Sequence, residues 1–213
     1  MTYPESGRKS AVTLTSRTLA GRAACGALLV AMLVVGLFSG GCVGYAVYPP
    51  MEGMSGFKNP NSDPLPALMT ESVRWVSTRY PPTAAQEWTA PPSITPGEPP
   101  KFVVNLPAGV SRAIYLSVAK KIGPEALAME PGLENLPTYH VSRIWVQGDE
   151  AKVDVIRPVP ALPGTGASDA SHQITQGITV RLRGGVQPWH VTSHNVWTIG
   201  AMPVPAINYV PEK

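Results

Sequence analysis

Tyr139-His140-Val141-Ser142-Arg143-Ile144-Trp145-Val146 and Ala151-Lys152-Val153-Asp154-Val155-Ile156-Arg157 flank the dipeptide Gly148-Asp149. A two-residue loop that opens on glycine, which takes φ > 0 at no steric cost, is a hairpin connection. Counting outward from it sets Val146 against Ala151, Ile144 against Val153 and Ser142 against Val155 on one largely apolar face. The opposite face sets Trp145 against Lys152 and Arg143 against Asp154, opposite charges across the ladder. A one-residue slip would mix the two faces, so the alternation itself specifies the register.

Downstream, Gln173–Arg183 and Pro188–Thr198 form a second hairpin around Gly184–Gln187. The expected pairs are Leu182 with Trp189, Val180 with Val191 and Ile178 with Ser193 toward the core. Arg181 then faces His190, with His194 beside Gly177, on the outer side. Upstream, Leu65, Leu68, Met69, Val73 and Val76 recur at helical spacing after Ser62-Asp63-Pro64 and before Pro81-Pro82. Ser111 caps a second helix with Ile114, Tyr115, Val118 and Ile122 on one side, stopped by Gly123-Pro124. Phe102–Leu106 is a short strand candidate, Glu125–Pro137 a loop, and Pro158–His172 a long loop. The seven prolines between Pro81 and Pro100 favour an extended crossing.

The fold class expected is therefore α+β. Two helices pack on one face of a four-stranded antiparallel sheet (139–146, 151–157, 173–183, 188–198), with proline-rich connections. The domain spans 64–202, after a flexible tether over 43–63 and before an extended tail over 203–213. This element order and the hairpin Leu182–Val191 resemble the cystatin-like and nuclear-transport-factor-2-like folds over residues 65–198. Those folds host enzymes, binding modules and structural domains, so the resemblance implies no particular chemistry.

Residues 1–42 carry the targeting information. Ala23–Gly41 is an uncharged apolar run preceded by Arg8, Lys9, Arg17 and Arg22. As a helix it is about 28 Å long, close to the hydrocarbon thickness of a bilayer. The basic residues before it keep the N-terminus cytoplasmic and send the remainder across. An uncleaved anchor and a cleaved signal peptide both satisfy this pattern. Leu37-Phe38-Ser39-Gly40-Gly41-Cys42 resembles the lipobox of bacterial lipoproteins. The resemblance implies that Cys42 becomes the first mature residue and carries a lipid anchor on its thiol, with the domain in the extracytoplasmic cell envelope.

Charge narrows the partners. Beyond Cys42 the chain has 13 basic and 13 acidic residues, from totals of 17 and 14 less the 4 and 1 that precede it. Without an excess of Lys and Arg, nucleic acid is not an expected partner. The membrane and an unidentified envelope protein are. Both cysteines, Cys25 and Cys42, lie in the export segment, so the domain has no disulfide, and no cofactor is expected. No Gly-x-Ser-x-Gly, His-Glu-x-x-His or phosphate loop occurs.

The tightest polar constellation is Arg181 with His190 and His194, a candidate contact for a partner or an anion. No third ligand accompanies the imidazoles, so no metal site is assigned. His140 and His172 stand apart and receive no role. The reading reached is a membrane-tethered, non-catalytic envelope lipoprotein with a binding or scaffolding domain. Two alternatives stay open: a small-molecule pocket between helices and sheet, with Ser142 and Ser193 converging on it, and a hydrolase or metal enzyme using His190 and His194.

Overall fold

A computed structural model describes residues 44–82, 101–159 and 174–212. The apolar run 23–42, the proline-rich stretch 83–100 and most of the 158–172 loop lie outside them. Two helices, α1 (Leu65–Arg79) and α2 (Arg112–Ile122), accompany strands β1 (Ala46–Tyr48), β2 (Phe102–Asn105), β3 (Ala126–Ala128), β4 (Thr138–Gln147), β5 (Glu150–Pro158), β6 (Thr175–Arg183) and β7 (His190–Ile199). The strands form one mixed sheet in the order β3-β2-β4-β5-β6-β7, and β1 pairs with β4 off that path.

The expected four-stranded antiparallel sheet is thus corrected to seven strands. β2 runs parallel to both β3 and β4, while β1 pairs antiparallel with the far half of β4. Of these three strands β2 was expected, as the Phe102–Leu106 candidate, but not its place in the sheet; β1 and β3 have only three residues each, too short for an alternation to show. The β3 segment, Ala-Leu-Ala, stands inside the expected 125–137 loop, and β1 stands inside the expected 43–63 tether. β1 is no tether: Val47 is completely buried, its N–H donating to the Ser55 carbonyl and its carbonyl accepting from the Phe57 N–H.

The first hairpin keeps the expected register at Val146↔Ala151, Trp145↔Lys152, Ile144↔Val153 and Arg143↔Asp154. A bulge between Val141 and Arg143 then absorbs Ser142, so Val141 and not Ser142 meets Val155. Gly148 takes φ +60° at the turn, as the two-residue loop requires. Leu65, Leu68, Met69, Val73 and Val76 of α1 are fully buried in one core with Val153, Val155, Ile178 and Val180. Complete burial of each aliphatic side chain contributes about 1.5–3 kcal/mol. α2 adds Tyr115, Val118 and Ile122.

The other sheet face is closed at one end by the C-terminal segment. Gly177 leaves room for Met202. Asn105 donates to the Ala206 carbonyl (2.9 Å) and accepts from the Asn208 N–H (2.9 Å). Val210 donates to the Met129 carbonyl (2.8 Å). Residues 202–210 therefore strap the sheet from β6 to the end of β3, over buried Ile156 and His140. The expected tail does lack regular secondary structure, but it is part of the domain.

Candidate functional site

β6 and β7 decide where the polar candidates go. Their register is Arg183↔His190, Leu182↔Val191, Arg181↔Ser193, Val180↔His194, Thr179↔Asn195 and Ile178↔Val196, with a shift between Arg181 and Leu182. The expected pairs Leu182–Trp189, Val180–Val191, Ile178–Ser193 and Arg181–His190 are all corrected. The connecting loop runs from Gly184 to Trp189, longer than expected, because the Trp189 ring folds back against Gly184 and does not enter the ladder.

The shift dissolves the Arg181–His190–His194 constellation. His194 pairs with completely buried Val180 and so faces the helices. Its Nε2 lies 3.3 Å from the Tyr80 hydroxyl and its ring centroid 4.7 Å from that of Trp75. His190 Nδ1 lies 3.2 Å from the Pro188 carbonyl, and neither contact is to a carboxylate. Among the described residues no three His, Cys, Asp or Glu side chains group to hold a metal. Ser193 pairs with Arg181 on the outer face, so Ser142 and Ser193 do not converge between helices and sheet.

Arg181 instead joins a groove on the outer face. The groove encloses about 260 Å³ and is lined by Tyr45, Lys152, Arg181, Arg183, Thr192 and Ser193, with Glu150 as its carboxylate. Lys152 and Arg181 are directly opposed across β5 and β6, a like-charge pair that disfavours the bare sheet. Arg183 is answered by Asp149 at 3.1 Å and faces Glu150 across the ladder. Lys152 and Arg181 have no ion-pair partner among the described residues. Lys152 Nζ lies over the Tyr45 ring, 4.6 Å from its centroid. Sequence reasoning singled out Arg181 but missed Lys152, Arg183 and Tyr45. The signal lay in pairing β5 with β6, which puts Lys152 beside Arg181.

Further along the same face the Thr179 hydroxyl donates to Asp154 (2.6 Å), and the Trp197 indole donates to Thr179 (2.9 Å). Burial raises the Asp154 pKa, while the Thr179 hydrogen bond and the Arg143 charge pull it back.

The second candidate feature is a sheet edge. β7 ends the strand order, has ten residues and carries no Asp, Glu, Lys or Arg. All of them but Val191 are exposed. Between the ladder's two irregularities, Ser193–Val196 pair regularly with β6, and no strand among the described residues pairs with their other side. The opposite edge, β3, is only three residues long. Native sheets usually blunt a long edge with charge, proline or cover, because its unpaired N–H and C=O groups template another strand.

Neither a family model, nor a curated protein, nor a solved structure matches the chain.

Proposed function

We propose that this chain is a membrane-tethered, non-catalytic lipoprotein of a bacterial cell envelope, whose domain binds or scaffolds an envelope protein by adding that partner's extended segment to β7. The observation that carries the reading is the β7 edge: ten residues, uncharged, solvent-exposed, with Val196, Trp197 and Ile199 offering apolar contacts. Main-chain hydrogen bonds supply affinity in strand addition, and flanking side chains supply selectivity. The leader supports the membrane location through Arg8, Lys9, Arg17 and Arg22, the apolar run to Gly41, and the lipobox-like Ser39-Gly40-Gly41-Cys42.

A photo-cross-linking residue at Asn195, in cells, is expected to capture one protein partner that the same probe at Leu116 on α2 does not. Asn195→Lys elsewhere on the edge, with the probe moved to Ser193, is expected to lose that adduct, since a lysine on an edge strand disfavours further pairing. Equal capture from β7 and α2 would remove the edge from the proposal.

The anchor has its own test. Intact mass of the mature chain is expected to show Cys42 at the N-terminus with a diacylglyceryl group, and Cys42→Ser to lose the modification. An intact leader on the wild-type chain would replace the lipid by an uncleaved signal anchor.

A further inference from the structure

Two groups of residues come together at the end of the sheet where the chain enters it. Tyr45 lies three residues after Cys42, so whatever the placement of the residues before Gly44, the connection spans at most about 11 Å. From Ala46 onward the chain is fixed in the sheet by its pairing with Val146. An anchor at Cys42, or an apolar helix ending at Gly41, would hold this end of the domain at the membrane surface.

That end carries the groove. Lys152 and Arg181 stand side by side without an acidic partner among the described residues, and the Thr192 and Ser193 hydroxyls line the same space. Asp149 and Glu150 also lie here, but both stand beside Arg183. Exposed apolar side chains stand at the same end of the sheet. Val186, in the β6–β7 loop whose Gly184 N–H donates to the Asp149 carbonyl, is wholly exposed. Met54 is half-exposed, two residues before Gly56, which bridges Val47 in parallel and so brings Met54 toward the Tyr45 end of β1. Paired cations beside Tyr45, at an end of the sheet that also exposes Val186 and Met54, suit a lipid–water interface, where aromatic rings sit at headgroup level and cations meet phosphate.

We infer that Lys152 and Arg181 hold the phosphate of an anionic phospholipid, docking this end of the sheet on the membrane that tethers the chain. The inference rests on the membrane-tether reading above. It goes beyond that reading by giving the domain a fixed orientation, with β7 lying along the side of the docked sheet.

The test uses the full chain mixed with vesicles of phosphatidylcholine, alone or with added phosphatidylglycerol. Flotation reports the tether, and the rate of Lys152 acylation relative to Lys120 on α2, read by peptide mass spectrometry, reports docking. The chain is expected to float with both vesicles, with Lys152 slowed at least fivefold only where phosphatidylglycerol is present. Arg181→Ala is expected to reduce that protection about fivefold, the weight of one cation at an anionic surface. High salt is expected to remove it.

A chain that floats while Lys152 reacts equally in both vesicles overturns the docking and leaves the tether standing. A chain that does not float overturns both. Protection produced in phosphatidylcholine vesicles by inorganic phosphate alone assigns the groove to a soluble anion and overturns the lipid assignment.

Discussion

Asn105→Ala is expected to lower the free energy of unfolding by about 3 kcal/mol and to make residues 202–211 susceptible to protease. Asn105 is 1% exposed and uses both ends of its amide. Its nitrogen donates to the Ala206 carbonyl and to His140 Nδ1, each at 2.9 Å, and its oxygen accepts from the Asn208 N–H. Alanine leaves those partners unsatisfied, His140 Nδ1 at a buried site and the two strap groups at a part-buried one, and a buried group left so costs about 1–3 kcal/mol. The strap relieves the cost by lifting off, so part of the loss appears as local opening. Denaturant unfolding measures the first effect, and limited proteolysis with mass analysis measures the second. A variant that keeps its C-terminal residues protected and loses under 1 kcal/mol would contradict this account of the clip.

The second large effect is a loss of stability with acid. His140 is 5% exposed, and burial lowers its pKa from 6.5 to about 4. Because the Asn105 amide donates to Nδ1, the neutral ring carries its proton on Nε2. Protonating Nδ1 would set two donors face to face. The folded pKa lies below the unfolded one, so the unfolded chain takes up the proton first. The stabilisation is complete above pH 6.5 and falls away as the pH drops toward 4. Between pH 7 and pH 5 the loss is about 2 kcal/mol.

Asp154 acts in the opposite sense. Its folded pKa is raised above the ordinary carboxylate value of 3.8, so its contribution is present in acid and is lost as the pH rises through the folded pKa. His140→Gln removes the histidine contribution alone. Its unfolding free energy is expected to change little between pH 7 and pH 5, where the wild-type value falls. Parallel pH profiles for the two proteins would rule out His140 as the source.

How much could be read in advance depended on loop length and on contrast between strand faces. The β4–β5 hairpin was legible because Gly148-Asp149 fixes the turn and because Val146, Ile144, Ala151 and Val153 alternate with polar residues. The Ser142 bulge was not, since one extra residue in a strand leaves no local mark. β7 reads His-Val-Thr-Ser-His-Asn-Val-Trp-Thr-Ile, with little contrast between its faces. A slip of two or more residues costs such a strand little in sequence terms. Trp189 folded against Gly184 lengthens the loop by two residues, and the irregularity between Arg181 and Leu182 then carries His194 to the helix side, away from Arg181. The helical stripes of α1 and α2 held because each buries one side against the sheet or the other helix. His140 looked isolated along the chain, since its partner Asn105 is 35 residues away in a parallel strand.

The strap also bears on when the domain can finish folding. Its clips join residues 101 and 103 positions apart, so the seam over Ile156 and His140 stays open until the 206–210 segment has been delivered. On the membrane-tether proposal, the 206–210 segment crosses after the strands it clips, so the seam would close on the far side only once that segment has followed them.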